Sequence, residues 1–420
     1  MNPVQENELQ AGGRSHFDLF SPEFKLDPFP TFARMRRDAP VYGHEAPNGT
    51  TIWYITRYDD VLAVLRDETN FCKDPRNTGI PTVSGSASRK TPMHRLINEN
   101  MLFSDPPDHT RLRSLVSQAF TPQRIEQQSS FINDVTNDLI DRLQFAQEVD
   151  LIDSFALPMP VFVISRLLGI PDEDRDDVAL WSQAIISPGS RNLNYSARKQ
   201  RVQAFIRYLN QIFAQRTAEP QDDLISALIH AEEAGDRLSD FELSSMVALL
   251  LVTGHETTVN LIGNGALSLL QHPDQLALLQ ENPDLWNSAV EELLRYAGPV
   301  ETSTSRWACQ DIQFGGKLIR RGDLVRVVLA SANHDPAQFS APEELRVNRT
   351  DNRHLAFGYG AHYCLGAPLA RLEARIALRT LFERLDGLRL SSPGDELAWR
   401  AGVLFRGLER LPIQWDRART

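Results

Sequence analysis

The chain is poor in cysteine and has no long apolar run. Only Cys72, Cys309 and Cys364 occur among its 420 residues. An odd, sparse set of cysteines argues against a disulfide framework and fits a reducing compartment. The longest apolar run covers residues 246–252, far short of the ~20 residues that a membrane-spanning helix needs. Residues 1–16 contain no apolar signal core, so we expect a soluble cytoplasmic protein.

The balance of charge excludes further classes of function. The formal net charge is −11, which makes the chain as a whole a poor match for nucleic acid or an anionic membrane. Charged residues make up 24% and hydrophobic residues 42% of the chain. These are the proportions of an ordinary globular protein, so a small-molecule or protein partner is the expectation.

The order of predicted elements indicates a mainly α-helical fold with small β-sheets. We find no internal repeat and no clean domain boundary, so we expect a loose tail over residues 1–16 and one domain over residues 17–420. The patterns predict a hairpin over 41–56 that turns at Pro47-Asn48-Gly49, a long polar loop over 73–100, helices from Pro107 onward with a connection at Ser187-Pro188-Gly189-Ser190, and strands within 312–329. Loops as long as the polar one are usually functional.

The longest predicted element is a helix that begins at Ser239. Ser239 and Glu242 have the spacing of a capping box, and the next proline is Pro273. A helix between them would have about 30 residues and a length of roughly 45 Å. Because its middle is apolar all round, we expect it to run through the core.

That helix contains Thr253-Gly254-His255-Glu256-Thr257-Thr258, in which Gly254 and Glu256 are both unfavourable for a buried helix. Gly254 costs about 1 kcal/mol of helix stability. Glu256 places a carboxylate in an apolar segment, where burial without a partner is costly. Unfavourable residues this close together are typical of functional sites. The alternative is a weak spot at which Glu256 reaches solvent or an arginine.

Three glycines and a cysteine lie within the ten residues Phe357-Gly358-Tyr359-Gly360-Ala361-His362-Tyr363-Cys364-Leu365-Gly366. Cys364 precedes a helical pattern over 367–385, and the unpaired N–H groups of a helix start favour an ionised sulfur. One alternative is a small buried cysteine beside a turn. Another is a zinc site with His362, but such a site wants four ligands, typically with a second closely spaced pair.

The pattern F-G-x-G-x-H-x-C-x-G resembles, at every defined position, the haem-ligand loop of the cytochromes P450. The resemblance covers essentially the whole chain and implies the single large P450 fold, with a long central helix over the haem and the cysteine loop on its proximal side. It implies haem b (iron protoporphyrin IX) as cofactor, with Cys364 as the axial thiolate ligand of the iron. Phe357, Gly358 and Gly366 would contact the haem.

The threonine-rich stretch resembles the oxygen-activation motif of the same family, A/G-G-x-D/E-T. Glu256 and Thr257 would then be an acid–alcohol pair that relays protons to dioxygen, with Thr253 and Gly254 against the haem. Thr253 stands where the family has Ala or Gly. The alternative for its hydroxyl is a hydrogen bond back to the carbonyl of Leu249.

Glu292-x-x-Arg295 resembles the E-x-x-R motif of the family, which with Arg349 would brace the cysteine loop. Taken alone, such a pair is an ordinary surface ion pair. Four further residues match ligands of the haem propionates: His109, Arg113, Arg306 and His362. For an isolated H-x-x-x-R the alternative is a solvated basic face. The positions that line the substrate pocket in the family correspond to Leu250, Thr253, Val300, Thr302, Leu404 and Phe405.

The resemblance implies a monooxygenase that hydroxylates or epoxidises an apolar small molecule, such as a polyketide or terpenoid. Electrons would come from NAD(P)H, used only indirectly, through a ferredoxin reductase and a ferredoxin. We expect a monomer with a basic docking face made from Arg111, Arg353, Arg371 and Arg375. Two alternatives stay open, a peroxide-driven peroxygenase and a non-catalytic haem sensor or carrier.

Overall fold

The computed structural model describes residues 17–46, 49–81, 95–96, 99–143, 146, 148–186, 195–392, 394 and 397–418. Several predictions fall outside these ranges: the N-terminal tail, Pro47 and Asn48 of the predicted turn, most of the 73–100 loop, and the connection at Ser187-Pro188-Gly189-Ser190. The division into a tail and one domain therefore stays a prediction.

Helices dominate the described residues. Those of nine residues or more are Phe29–Asp38, Tyr58–Arg66, Asp108–Ala119, Ser129–Leu143, Pro158–Leu168, Arg175–Ile186, Tyr195–Ala218, Asp240–Gln271, Pro273–Glu281, Trp286–Ala297 and Ala367–Arg384. Shorter helices are Pro22–Leu26, Pro122–Glu126, Leu224–His230 and Leu329–Ala332. Single helical turns cover Pro75–Thr78, Met101–Phe103, Ile152–Ala156, Asp172–Asp174, Pro283–Leu285 and Gly360–His362.

The strands are short and form small sheets. In chain order they are β1 (Val41–Glu45), β2 (Thr51–Ile55), β3 (Phe71–Cys72), β4 (Glu148–Asp150), β5 (Arg306–Ala308), β6 (Ile312–Phe314), β7 (Lys317–Ile319), β8 (Leu324–Val327), β9 (Leu385–Asp386), β10 (Arg389–Leu390), β11 (Pro412–Gln414) and β12 (Arg417–Ala418). The largest sheet has five strands in the order β1-β2-β8-β5-β3. Smaller sheets join β10-β11-β4, β12-β9 and β6-β7.

The predicted hairpin is confirmed, with Val41 opposite Ile55 and Glu45 opposite Thr51. β2 also pairs in parallel with β8, where Ile52 lies opposite Leu324. β5 joins this sheet in antiparallel fashion and carries β3 on its other edge. The sheet thereby brings the N-terminal hairpin, the segment after Phe71 and the strands after Arg306 to one place.

The predicted long helix is confirmed as Asp240–Gln271, which we call the central helix. It has 32 residues, and both hydrogen bonds of the Ser239–Glu242 capping box are present. The helices Pro158–Leu168, Trp286–Ala297 and Ala367–Arg384 pack against it. Within the described ranges it is the one helix long and apolar enough to cross a membrane, but 67% of its most apolar 18-residue window is buried inside the protein. It is the core helix of the fold.

Candidate active site

The cysteine loop, residues 357–366, is held in a tight conformation by its glycines. Gly358 and Gly360 have φ of +71° and +75°, in the left-handed region that disfavours other residues. A side chain on Gly360 would also lie 2.9 Å from the carbonyl oxygen of Leu65. The amide of Cys364 donates to the carbonyl of Phe357 over 3.0 Å, which closes the loop. The chain then enters the helix Ala367–Arg384, which we call the proximal helix.

The side chain of Cys364 is exposed to a cavity inside the protein. Burial raises the pKa of its thiol, and the N–H groups of Gly366 and Ala367, together with Arg113 and Arg371, oppose that rise without overcoming it. The N–H groups at the helix start therefore favour an ionised sulfur, as we expected, although the effect of burial on the pKa is larger. A sulfur in this setting becomes a thiolate when a bound cation holds it, since metal coordination deprotonates a thiol outright.

The cavity lies between the central helix and the cysteine loop. Its wall includes these residues predicted for the site: His109, Arg113, Leu250, Thr253, Gly254, Thr257, Val300, Phe357, Gly358, His362, Cys364 and Gly366. Thr302, Leu404 and Phe405 are not part of that wall. The hydroxyl of Thr302 donates to the carbonyl of Val403 over 2.9 Å, and Phe405 pairs with Val300 as an isolated β-bridge. With the bond from the amide of Glu301 to the carbonyl of Leu404, these contacts join residues 300–302 to residues 403–405.

A wall of positive groups closes one side of the site. The rings of His109 and His362 lie 4.0 Å apart between centroids. The pKa of His362 falls to about 2 because of burial and the neighbouring Lys73, His109, Arg306 and Arg113. Burial and Arg113 also lower the pKa of His109, while burial lowers that of Arg306 to about 10. Burial thus lowers the pKa of each of these groups, and neighbouring cations lower the pKa values of His362 and His109 further.

Lys73 belongs to this wall and was not predicted from the sequence. It is 2% exposed, and its ammonium donates to the carbonyl of Thr304 over 3.1 Å. Burial and Arg306 lower its pKa well below the ordinary value. No local motif marks it, because only the pairing of β3 with β5 brings it beside Arg306. We call His109, Arg113, Arg306, His362 and Lys73 the cationic wall.

The cationic wall fits the carboxylates of a haem. Nε2 of His109 is buried and has no hydrogen-bond partner among the described residues. The nearby carboxylate, Asp105, already accepts hydrogen bonds from the amides of Lys73 and Asp74 and the side chain of Asn77. Clustered cations with lowered pKa values and an unused donor are satisfied by an anionic ligand. The donor set of the site therefore matches a propionate-bearing group that Cys364 could ligate.

The threonines of the central helix bond back to the helix itself. The hydroxyl of Thr253 donates to the carbonyl of Leu249 over 2.7 Å, which is the alternative left open for it above. Thr257 donates to the carbonyl of Thr253 over 2.9 Å. The helix is continuous past Gly254, where an added Cβ would lie 3.2 Å from Cδ1 of Ile164. Gly254 thus permits close packing of the Pro158–Leu168 helix.

Glu256 is not part of the cavity wall and reaches an arginine. Its carboxylate accepts a hydrogen bond from Arg400, and the exposed fractions of the Glu256 and Arg400 side chains are 14% and 34%. Glu256 on the central helix is therefore paired with a partly exposed arginine. Arg400 lies 144 residues from Glu256 in the chain, so no local pattern could have indicated it.

A second carboxylate lies below the central helix. Glu373, on the proximal helix, is fully buried, and burial raises its pKa well above the ordinary value, although the hydroxyl of Thr258 opposes this. Neither oxygen has another hydrogen-bond partner among the described residues. Burial therefore favours the uncharged form of Glu373. It was not predicted, because a lone glutamate in a helical pattern carries no signal of burial.

Comparison with known proteins identifies the family. A family profile described as cytochrome P450 matches residues 176–405. "Cytochrome P450 107B1" of Saccharopolyspora erythraea is 46% identical over 397 residues, which cover 94% of this chain and 96% of that protein. The chain belongs to the cytochrome P450 family. It is a P450 monooxygenase of the bacterial type, and the P450 family implies a haem with a cysteine thiolate ligand.

Two further relatives are similar over nearly their whole length. "Cytochrome P450 monooxygenase PikC" of Streptomyces venezuelae is 43% identical over 94% of this chain and 93% of its own length. The solved structure of the bacillaene polyketide synthase cytochrome P450 PksS of Bacillus subtilis has a TM-score of 0.89 and 41% identity, covering 96% of this chain and 100% of its own. The P450 fold predicted from the sequence is confirmed.

The E-x-x-R residues of this P450 meet in the interior. Arg295 donates to Glu292 over 2.8 Å, and both side chains have an exposed fraction of 0%. Arg349 donates to the same carboxylate over 3.0 Å. Arg295 also donates to the carbonyls of Asn333 and Pro342. We call Glu292, Arg295 and Arg349 the brace.

The arginines expected to form a basic docking face are mostly paired with acidic groups in this P450. Arg111 bonds to Glu242 and lies 3.3 Å from Asp236. The remaining contacts are Arg353 with Asp351 over 3.1 Å, Arg371 with Glu291 over 2.6 Å, and Arg375 with the side-chain oxygen of Asn287 over 2.8 Å. The local carboxylates reduce the positive charge that sequence counting alone predicted.

Proposed function

We propose that this P450 binds haem b through the Cys364 thiolate and oxidises an apolar small molecule with dioxygen. The observation that carries the proposal is the cavity itself, which Cys364 lines together with His109, Arg113 and His362 of the cationic wall. When bound, the haem-thiolate supplies reductive cleavage of dioxygen and oxidation of an unactivated C–H bond or a double bond. His109, Arg113, Arg306 and His362 of the cationic wall would hold the propionates.

The lining of the cavity supports an apolar substrate. Leu102, Leu249, Leu250, Val300 and Leu329 face the same space as Thr253 and Thr257. Pockets of this kind gain affinity from apolar burial and orientation from a few polar groups. The relatives named for polyketide metabolism support a secondary metabolite such as a polyketide or terpenoid, hydroxylated or epoxidised.

Thr257 and Glu256 are proposed to deliver protons to the cavity. A hydroxyl can donate and accept at once, so Thr257 can exchange its bond to the Thr253 carbonyl for one to a guest in the cavity. Glu256 and Arg400 form a path toward solvent, because Arg400 is partly exposed. Proton delivery is needed when dioxygen is reduced, whereas peroxide already carries its protons. The pair thus favours the monooxygenase over the peroxygenase.

We propose that electrons come from NAD(P)H through a reductase and a ferredoxin, in the cytoplasm and to a monomeric P450. The proximal surface around the cysteine loop offers Arg66, Tyr359 and Tyr363. The guanidinium of Arg66 stacks over Tyr359 at 4.7 Å, and both tyrosines are exposed. An acidic ferredoxin would meet Arg66 together with the paired arginines Arg353 and Arg371, so its docking should weaken as salt rises.

The decisive experiment is the reduced carbon monoxide spectrum. The wild type should give the red-shifted Soret band of thiolate ligation, and Cys364→Ser should lose it. Cys72→Ser and Cys309→Ser are matched controls that should retain the band. A normal band from Cys364→Ser would overturn the proposal.

The variant Thr257→Ala separates the three candidate functions. In a monooxygenase it should still bind substrate and accept electrons, but more NADPH should be consumed per product and more peroxide released. In a peroxygenase, peroxide-driven turnover should proceed without NADPH and be unaffected by Thr257→Ala. A sensor or carrier should consume no NADPH in response to substrate with any redox partner.

A further inference from the structure

Cys72 and Cys309 lie on neighbouring strands although 237 residues separate them in the chain (309 − 72). In the antiparallel pair of β3 and β5, Phe71 lies opposite Ala308 and Cys72 opposite Trp307. The amide of Cys309 continues the ladder by donating to the carbonyl of Asn70 over 2.8 Å. Because side chains alternate along strands, Cys72 and Cys309 share one face of the ladder and are diagonal neighbours.

The two sulfur atoms meet at one carbonyl oxygen. Sγ of Cys72 lies 3.5 Å, and Sγ of Cys309 lies 3.9 Å, from the carbonyl oxygen of Trp307. Each thiol also shifts the pKa of the other. Two thiols on one face of a β-ladder that approach the same carbonyl oxygen form a dithiol. The third cysteine, Cys364, lies apart from them in the cysteine loop.

The members of the pair differ in access and acidity. Cys72 is buried, whereas Cys309 is half-buried. The hydrogen bond from Cys72 lowers the pKa of Cys309, while that contact and burial raise the pKa of Cys72. Oxidants attack the more ionised and more accessible sulfur first. Cys309 is thus the sulfur that reacts first, and Cys72 the one placed to resolve the product.

We propose that Cys72 and Cys309 form a peroxide-responsive dithiol that closes to a reversible disulfide. The Cys309 thiolate attacks hydrogen peroxide, the O–O bond breaks, and a sulfenic acid and hydroxide form. The Cys72 sulfur then attacks the Cys309 sulfur, the S–S bond forms, and the S–O bond breaks. The leaving oxygen takes the proton of Cys72 and departs as water. Overall, two thiols are oxidised and one peroxide is reduced to two waters.

The local backbone allows the closure. Diagonal neighbours in an antiparallel ladder are about 7–8 Å apart, whereas disulfides require Cα separations of about 4.4–6.8 Å. One strand end must therefore move by roughly an ångström or two. Cys309 is suited to this, because β5 ends at Ala308 and the chain bends at Cys309. The ladder bond from Cys309 to Asn70 is the one that the movement would strain.

The dithiol adjoins the cationic wall. Lys73 follows Cys72 directly, and Arg306 is the first residue of β5. A disulfide would fasten the strand ends that carry these two cations. The oxidised protein should therefore keep its arrangement of the cationic wall longer under partial unfolding than the reduced protein does.

The test treats the full-length haem-loaded protein with stoichiometric hydrogen peroxide, followed by alkylation and non-reducing peptide mass spectrometry. We expect a cross-linked peptide pair containing Cys72 and Cys309, a loss of the mass of two hydrogens, and recovery of both thiols with dithiothreitol. Cys72→Ser should instead accumulate a dimedone-reactive sulfenic acid on Cys309. Cys309→Ser should leave Cys72 reduced under the same conditions.

Two outcomes would overturn the proposal. In one, the wild type carries the dimedone adduct on Cys309 to the same extent as Cys72→Ser, so that no resolution occurs. In the other, both wild-type thiols stay free at a peroxide dose that labels Cys309 in Cys72→Ser. Serine preserves side-chain size, and circular dichroism and the carbon monoxide spectrum verify that both variants fold and bind haem.

Discussion

The brace and the cationic wall both bury charged side chains, yet they do so in opposite ways. In the brace, Glu292 accepts hydrogen bonds from Arg295 and Arg349, and the other N–H groups of Arg295 donate to backbone carbonyls. In the cationic wall, basic side chains lie side by side with lowered pKa values, and Nε2 of His109 has no partner among the described residues. The charged groups of the brace are thus paired with one another, whereas the cationic wall needs an anion as its partner.

This difference teaches how to separate a structural cluster from a binding site. Residue types do not separate them, because arginine is central to both. The balance of donors and acceptors does: a buried cluster with every group paired stabilises the fold, whereas one with unused donors and lowered pKa values is arranged for a ligand. The two clusters should therefore respond to mutation with opposite effects on the haem-free protein.

The largest effect should come from breaking the brace. Glu292→Ala leaves Arg295 and Arg349 buried without a carboxylate, and removal of one partner from a buried pair costs about 3–5 kcal/mol. We expect the free energy of unfolding to fall by that amount, with or without haem. Urea denaturation followed by circular dichroism measures it. Glu344→Ala is the matched control, since Glu344 pairs with Arg346 at the surface and such pairs contribute about 0–1 kcal/mol. Equal losses from both variants would contradict the distinction.

The second-largest effect should come from removing one cation of the cationic wall. Arg113→Met removes a half-buried cation that lines the cavity and whose pKa burial lowers, so the haem-free protein should keep or gain stability. The haem-loaded protein should lose haem faster, because a hydrogen bond to a charged group contributes about 1.5–3 kcal/mol, or roughly ten- to a hundredfold in rate. Transfer of haem to apomyoglobin measures the rate.

Lys317→Met, at an exposed lysine of β7, controls for loss of a positive charge in general. It should change neither the stability of the haem-free protein nor haem transfer. A destabilised haem-free protein after Arg113→Met, or haem transfer equal to that of Lys317→Met, would place Arg113 with the structural charges instead.

A third effect concerns a buried group that is neither paired nor ligand-bound. The folded-state pKa of Glu373 is raised, so the folded protein binds more protons than the unfolded chain above about pH 4.5. Stability from this group is fully present below that pH and is lost as pH rises toward the folded pKa, by at most about 1.4 kcal/mol per pH unit. Glu373→Gln keeps the size of the side chain but removes its ionisable group.

We therefore expect Glu373→Gln to gain stability relative to the wild type as pH rises from about 5 to 8. Urea midpoints at several pH values measure the trend. Glu383→Gln, on the same helix but at an exposed pair with Arg379, should show no such trend. Parallel curves for the wild type and Glu373→Gln would mean that Glu373 titrates normally.

The smallest effect on stability should come from Arg400→Gln. The pair of Arg400 with Glu256 is partly exposed, so its loss should cost less than about 1 kcal/mol. Product formed per NADPH should nevertheless fall, because Glu256 loses the group that connects it to solvent. Thermal unfolding and product analysis measure the two quantities. A stability loss as large as that of Glu292→Ala would show that this pair stabilises the fold as the brace does.

The sequence predicted those features that depend on nearby residues. Ser239, Glu242 and Pro273 located both ends of the central helix, because capping and proline exclusion act within a few residues. The glycines around Cys364 indicated a tight loop for the same reason. The hydroxyl of Thr253 donates to the carbonyl of Leu249, which was the alternative predicted for it, because that carbonyl lies one helical turn away.

The features that escaped prediction depend on distant contacts. Arg400 meets Glu256, and Lys73 meets Arg306, only through the tertiary fold. Burial outweighs the effect of the helix start on the pKa of the Cys364 thiol, because desolvation depends on all the residues that surround the sulfur. Counting arginines predicted a basic face, but whether a charge is free depends on neighbours such as Glu291 beside Arg371, which sequence position does not give.

The parallel pairing of β2 with β8 has a consequence for synthesis on the ribosome. Trp53 of β2 donates to Asp323, a residue that leaves the ribosome 270 residues later. At about 5–20 residues per second, the hairpin waits roughly 14–54 s for its partner. During that time Tyr54 and Ile55, which are buried in the finished protein, have no β8 to cover them. The N-terminal hairpin is therefore the segment that a nascent-chain chaperone would be expected to shield.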